Sequence, residues 1–182
     1  MGALGDQQWA RLPGNRAMIF VTVGAQMAFD RLVRTVDGWA ESSRRSDVHA
    51  QIGPTDYCPT HFATWTQFLD PREFRQSVEQ ATVIVAHAGM GSILTALEIG
   101  KPILVMPRRG SLRETRNDHQ VATAERFKIL GKVAVAMDET ELLSELERID
   151  QLTAARQISP HASPELLEAV RAFIRDGNGA GQ

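Results

Sequence analysis

Two short runs hold the residues whose types and spacing could do chemistry. The first, His87 to Ser92, reads HAGMGS and stands between an apolar run, TVIVA at 82–86, and helix-compatible sequence from Ile93. Gly89 and Gly91 would let the backbone turn tightly and let a ligand come close to it. Unpaired N–H groups of a first helical turn favour an anion by about 0.3–2 kcal/mol, so His87, Ala88, Gly89, Met90, Gly91 and Ser92 read as a cradle for a diphosphate, the Ser92 hydroxyl adding a donor. That is a part of an affinity rather than all of it. The plainer alternative is a strand-to-helix turn with no ligand. The run is not a P-loop, lacking G-x-x-x-x-G-K before a Ser or Thr. Nor is it a dinucleotide fingerprint, since Leu94 stands where a third glycine belongs. His87 reads either as a hydrogen-bonded structural histidine or as a contact to phosphate or sugar. A general base would need a positioned acceptor hydroxyl, for which one domain has no second wall.

The second run, Pro107 to Gln120 (PRRGSLRETRNDHQ), carries Arg108, Arg109, Arg113 and Arg116, then Asn117, Asp118, His119 and Gln120. Such a charge run is either a solvated face or the seat of an anionic ligand, to which guanidinium groups bind bidentately. Asp, His and Gln side chains suit sugar hydroxyls, which both donate and accept hydrogen bonds.

These runs need elements to position them. After an aperiodic leader at 1–17, Met18 to Val23 (MIFVTV) is an apolar strand-like run ending at Gly24, and Leu32, Val33, Val36 and Trp39 recur at helical spacing until the polar Ser42 to Arg45. Val48 to Ile52 and Ala63 to Leu69 predict strands. Pro71 to Gln80 predicts a helix opened by its proline, Thr82 to Ala86 a central strand, Ile93 to Ile99 a helix closed by Gly100, and Pro102 to Met106 a buried strand. Asn117 to Leu130 predicts a helix closed by Gly131, Val133 to Ala136 a short strand, and Asp138 caps a helix to about Ile149. A last helix at 164–175 puts Leu166, Leu167, Val170, Phe173 and Ile174 on one stripe, for the core or for docking a partner, and 177–182 is a flexible tail. Strands alternating with helices across 18–176 predict an α/β fold: a Rossmann-like, mostly parallel sheet with helices on both faces. Ligands of such sheets bind beyond the carboxyl ends of the strands, here the loops after Val23, Ala86 and Met106.

A chain of 182 residues, 43% apolar and 23% charged, suits one folded domain, and its net charge of −2 argues against nucleic acid as a partner. The single cysteine, Cys58, excludes an internal disulfide and a cysteine-based zinc site, and suits a reducing cytoplasm. No run approaches the roughly 20 apolar residues of a membrane span, and no signal pattern opens the sequence. The expectation is a soluble chain whose membrane contact, if its product demands one, comes from another polypeptide or a peripheral surface.

Taken in order, IFVTVGAQ from Ile19, FDRLV, HAGMGS, GKP at 100–102, PR at 107–108 and NDHQ at 117–120 resemble the C-terminal domain of family 28 glycosyltransferases. The resemblance runs from about Ile19 through Gln120 to Phe127 and is strongest to the short forms of the Alg13 and PssE or EpsF types. It implies the C-terminal, donor-binding half of a GT-B glycosyltransferase divided between two chains. This chain would hold a UDP-sugar in the cytoplasm, recruited to the cytoplasmic face of the membrane by a membrane-anchored, acceptor-binding subunit of the Alg14-like or PssD-like type. Isolated, it could form a homo-oligomer. Carried over by motif, Gly24 and Gln26 line the cleft, Phe68 and Leu69 lie near the uracil, HAGMGS holds the diphosphate, and His119 and Gln120 touch the donor sugar; no cofactor and no metal are implied. At the position eight after the motif histidine, where relatives carry an acidic residue for the ribose, this sequence has Thr95. Glu98 lies one helical turn on, and either residue could meet the ribose, or Glu98 could be a solvated helix residue.

The implied reaction is an inverting, metal-independent displacement in which an acceptor hydroxyl attacks the anomeric carbon while the helix terminus and the arginines stabilise departing UDP. The base would lie on the partner, and no catalytic residue is assigned in this chain. The arginines make UDP-glucuronic acid the preferred donor, because bidentate pairing distinguishes a uronic acid from its neutral analogue. UDP-glucose, UDP-galactose and UDP-N-acetylglucosamine stay open, and the acceptor would be a lipid-linked glycan or an exopolysaccharide. A reading from another class is a non-catalytic nucleotide-sugar-binding scaffold or regulatory subunit of a glycan assembly complex. A third, a complete enzyme such as an epimerase, is opposed by length unless a homodimer brings a second copy across the cleft.

Overall fold

The computed structural model describes residues 18–131 and 133–155, so the leader at 1–17, the helix expected at 164–175 and the tail at 177–182 lie outside the described residues. Short β-branched runs give six strands: β1 (Ile19–Thr22), β2 (Val48–Gln51), β3 (Thr64–Thr66), β4 (Val83–His87), β5 (Ile103–Met106) and β6 (Ala134–Val135). They form one sheet in the order β3-β2-β1-β4-β5-β6, and every neighbouring pair is parallel. From β1 in the middle of the sheet the strands wind outward one way to β3, then return past β1 to continue the other way. The carboxyl ends of β1 and β4 therefore flank the switch point, where connections leave in opposite directions and open a crevice.

Period-two alternation puts side chains of each strand on both faces. Ile19 and Val21 join Val33 and Val36 of α1 (Asp30–Ser42) and Leu142 and Leu146 of α5 (Glu139–Leu146) on one side. Met18 and Phe20 join Val78 of α2 (Pro71–Gln80), Ile93, Ala96 and Leu97 of α3 (Met90–Ile99) and Ala124 of α4 (His119–Leu130) on the other. Phe20 and Ile93 are fully enclosed, and burial of a side chain of that size stabilises the fold by about 1.5–3 kcal/mol. α2 begins where the sequence predicts it, because Pro71 follows a capping box in which Asp70 accepts from the Arg72 and Glu73 backbone and the Glu73 carboxylate accepts from Asp70 N–H.

Four boundaries differ from the sequence reading. The strand expected over Ala63–Leu69 shrinks to Thr64–Thr66, paired only with β2 at the sheet edge. α3 starts at Met90, three residues early, so Gly89 is its N-cap and Gly91 lies inside its first turn. α4 starts at His119, because Asp118 Oδ1 accepts from Gly110 N–H at 2.8 Å and so ties the preceding loop instead of capping. α5 stops at Leu146, and Ile149–Gln151 form a separate 3-10 turn.

Candidate functional site

A cleft of about 670 Å³ opens at the carboxyl ends of β1 and β4. Gly24 and Gln26 come to it from the β1–α1 turn, Leu69 from the loop before α2, and His87, Gly91, Ser92 and Thr95 from β4 and α3. Arg108 and Gln120 arrive from the β5–α4 loop. The two runs singled out above thus face one another, with the β1–α1 turn between them.

The glycines of the motif have different jobs. A Cβ at Gly89 would collide with the imidazole of His87, meeting Nε2 and lying 2.8 Å from Cδ2, and one at Gly24, whose φ is +75°, would lie 2.8 Å from Cε1. His87 is therefore clasped between two residues that must lack a side chain. Gly91 has nothing within 4 Å of its Cβ position and stands open to the cleft. The cradle is also smaller than the sequence suggests. Ala88 buries its methyl and donates its N–H to Met106 O, and Gly89 donates to His87 O. Met90, Gly91 and Ser92 begin α3 without a side-chain cap, and their first-turn N–H groups have no intrahelical acceptor.

His87, expected either as a structural histidine or as a contact to phosphate or sugar, sits in the cleft as a neutral ring. Burial lowers its pKa to about 4, the Arg108 charge adds to the depression, and the Thr22 backbone opposes it weakly. Among the described residues Nδ1 is enclosed with no partner at hydrogen-bond geometry. The ring is neutral at pH 7 and offers a ligand at most a single hydrogen bond from one nitrogen.

Two of the four arginines in the loop are engaged by the protein itself. Arg108 is only 3% exposed. Its Nη2 donates to the carbonyls of Val23 at 2.7 Å and Met27 at 2.6 Å, and Nη1 to that of Glu114 at 3.4 Å. Its pKa falls to about 10 through burial, opposed by the Glu114 charge, so it remains protonated at pH 7. Arg109 leaves the cleft altogether: Nη2 donates to Met137 O at 2.7 Å and its N–H to Glu114 Oε2 at 2.9 Å. Glu114 in turn takes a bidentate pair from Arg31 of α1 at 2.7 and 2.8 Å. Neither Arg108 nor Arg109 offers the free fork that a carboxylate-bearing sugar requires.

Other expected contacts are scattered. Phe68 is 52% exposed and lies outside the cleft lining, as does Met90 at 47%. Thr95 lines the cleft and Glu98 does not, which favours Thr95 as the ribose neighbour; its hydroxyl donates to Gly91 O at 2.8 Å. Asn117 Oδ1 accepts from His119 N–H and Asp118 from Gly110, so both close their own loop, and the His119 side chain is exposed at the start of α4. Gln120 remains in the cleft, its Oε1 accepting from Arg108 N–H at 3.2 Å.

Sequence reasoning missed Gln51, the buried last residue of β2. It accepts from Thr22 Oγ1 at 2.6 Å and donates to Gly24 O at 3.0 Å and Gln67 O at 3.2 Å, fastening the turn to the loop after β3. The available signal was a polar residue at the carboxyl end of a predicted strand, at the ligand edge of the sheet. Pro71, Phe74, Arg75 and Thr115 also line the cleft, unforeseen. Among the described residues no helix is long and apolar enough to cross a membrane.

The sequence profile of the glycosyltransferase family 28 C-terminal domain matches residues 18–168. A human protein named UDP-N-acetylglucosamine transferase subunit ALG13 is 32% identical over 118 residues, which are 60% of this chain and 10% of that protein. The chain therefore spans about a tenth of that relative's length. The solution structure of ALG13 superposes with a TM-score of 0.55 at 19% identity, over 88% of this chain and 94% of that one. MurG of Acinetobacter baumannii superposes with a TM-score of 0.59 at 17% identity, over 90% of this chain and 51% of that one. At such identities the two structures establish a shared fold.

Proposed function

Because this chain belongs to the glycosyltransferase family 28 C-terminal domain family, we propose that it is the donor-binding part of a UDP-sugar glycosyltransferase, holding the nucleotide in the crevice between β1 and β4. One observation carries the reading: the uncapped first turn of α3 opens onto a cleft at the topological switch point, with Gly91 bare and Ser92 beside it. Three aligned N–H donors at a helix N-terminus complement a diphosphate, and they complement the extra charge that gathers on UDP as the sugar leaves more strongly still. Thr95, one turn further along α3, is offered as the ribose contact.

The acceptor hydroxyl needs a base, and the cleft offers a poor one. His87 holds its neutral form with Nδ1 enclosed, so proton removal is assigned to a second polypeptide, membrane-associated and carrying a lipid-linked or exopolysaccharide acceptor. The human relative is named as a subunit, which supports a divided enzyme. The donor sugar is assigned as neutral. Of the four loop arginines, Arg108 and Arg109 are engaged by backbone carbonyls, and the human relative is named for N-acetylglucosamine.

Calorimetric titration with UDP, UDP-N-acetylglucosamine, UDP-glucose and UDP-glucuronic acid tests the reading. UDP should bind, and the glucuronate should show no advantage over the neutral sugars. Absence of UDP binding would remove the nucleotide site. Binding without transfer in the presence of the co-purifying partner would leave a non-catalytic binding subunit.

A further inference from the structure

The β1–α1 turn is exposed at Ala25, Gln26 and Met27, and what supports it is polar and comes from below. Three of its carbonyls are held: Val23 O and Met27 O by the Nη2 of Arg108, and Gly24 O by the Nε2 of Gln51. Gly24 N–H reaches back to Thr22 Oγ1 at 3.3 Å. In a trans peptide a carbonyl directed one way fixes the following N–H the opposite way, so these anchors set the directions of the Ala25 and Ala28 N–H groups.

Arg108 is an expensive way to do this. No carboxylate lies within ion-pair distance of it among the described residues, because Glu114 is taken by Arg31, and its Nε is buried without a partner. A buried cation with no counter-ion lowers stability unless its hydrogen bonds return the loss. The principal bonds it makes are those to the turn. It reaches them from the β5–α4 loop, where its own N–H is held by Gln120, so one side chain ties together the two loops that flank the first turn of α3.

We propose that Arg108 is a positioning residue of the cleft, which governs nucleotide affinity by fixing the Gly24–Ala28 turn rather than by touching the ligand. The proposal rests on the reading of the cleft as a nucleotide site. The test uses the full chain, UDP as probe, and Arg108→Met, Arg108→Lys and Arg109→Met, the last removing an arginine whose guanidinium lies on Met137 O outside the cleft. Loss of charge-assisted bonds to the turn is expected to weaken UDP binding about tenfold in Arg108→Met. Lysine, whose ammonium can serve both carbonyls, should recover most of that loss, and Arg109→Met should stay within about twofold of wild type. In two-dimensional amide spectra without ligand, Arg108→Met should shift or broaden Ala25–Ala28 while the β4 and β5 amides keep their positions.

Unchanged turn amides, equal losses in Arg108→Met and Arg109→Met, or no rescue by lysine would overturn the proposal. Should Arg108→Met fail to fold, Arg108→Gln, which removes the charge and shortens the side chain, is expected to weaken UDP binding and shift the turn amides in the same direction. If wild type binds no UDP, the nucleotide reading fails by itself, while the turn amides still report whether Arg108 fixes the turn.

Discussion

Alanine at Gly89 and at Gly91 should move stability in opposite directions, although the two glycines stand two residues apart in one motif. A Cβ at Gly89 would meet His87 Nε2 and lie 2.8 Å from Cδ2 and 2.9 Å from Cε1, and the ring has Gly24 on its other side. The backbone at Gly89, φ −89° and ψ 135°, is one that alanine adopts freely, so the cost is steric. Overpacking of this kind costs about 1–3 kcal/mol, which for a domain of this size lowers the melting temperature by roughly 3–10 °C. At Gly91 the added methyl meets nothing within 4 Å and the backbone is helical. Less freedom in the unfolded chain should raise stability by about 0.4–1 kcal/mol, a gain of roughly 1–4 °C. Yet that methyl would occupy the face where the diphosphate approaches the first turn of α3. Losing even one charge-assisted hydrogen bond there should weaken UDP about tenfold or more. Thermal unfolding by circular dichroism and calorimetric UDP titration of both variants check this. Gly91→Ala binding UDP like wild type would refute the cradle, and Gly89→Ala melting at the wild-type temperature would refute the clasp on His87.

Three further outcomes follow from buried and partly buried groups. His87 has a folded pKa near 4 against an ordinary 6.5, so between those values the unfolded chain binds the extra proton and stability must rise with pH. Acidification through that window should cost up to about 3 kcal/mol, and His87→Gln should flatten the slope in urea midpoints measured from pH 4 to 7, equal slopes refuting it. Asp37 on α1 accepts from Tyr57 OH at 2.7 Å, His61 N–H at 2.9 Å and Thr60 N–H at 3.2 Å. Asp37→Ala should therefore destabilise by about 2–4 kcal/mol in urea and speed amide exchange at Thr60 and His61, and slow exchange there would contradict it. Glu114→Gln removes a carboxylate shared by Arg31 and the Arg109 backbone, and should lower stability by about 1–3 kcal/mol; an unchanged melting temperature would show that the loop is held by other contacts.

The fold was legible because its signals are local. TVIVA and PILVM read as strands covered on both faces, Pro71 opens α2 within a capping box, and Gly100 and Gly131 end helices with φ of +76° and +60°. The alternation of these pieces then leaves little choice but a parallel sheet, and the sheet puts HAGMGS at its ligand edge. Weaker local signals gave weaker boundaries. Thr64–Thr66 is a sheet-edge strand of partly buried residues, and α3 starts within the glycine motif because Gly89 in extended conformation can cap what its sequence does not advertise.

The position of the cleft was legible but the contacts of the side chains around it were not, because a contact depends on the partner a side chain finds. Arg108, Arg109, Arg113 and Arg116 look alike in a sequence, and only the fold shows that the first supports a turn from below and that the second reaches Met137 O. The same holds for the motif's glycines. The spacing of Gly89 and Gly91 marks a turn that something must approach closely, and at Gly89 that something is the chain's own His87. A sequence pattern reports that space is needed, and three-dimensional packing decides whether the space belongs to a ligand or to the protein itself. In this cleft it belongs to both: Gly24 and Gly89 hold a neutral imidazole as part of the floor, and Gly91 leaves the first turn of α3 open above it. On the proposed reading, the charge complement of a diphosphate would draw on fixed backbone dipoles of the α3 first turn, with the Arg108 cation held behind the β1–α1 turn. Preorganised groups of that kind need little rearrangement when charge builds on a leaving phosphate.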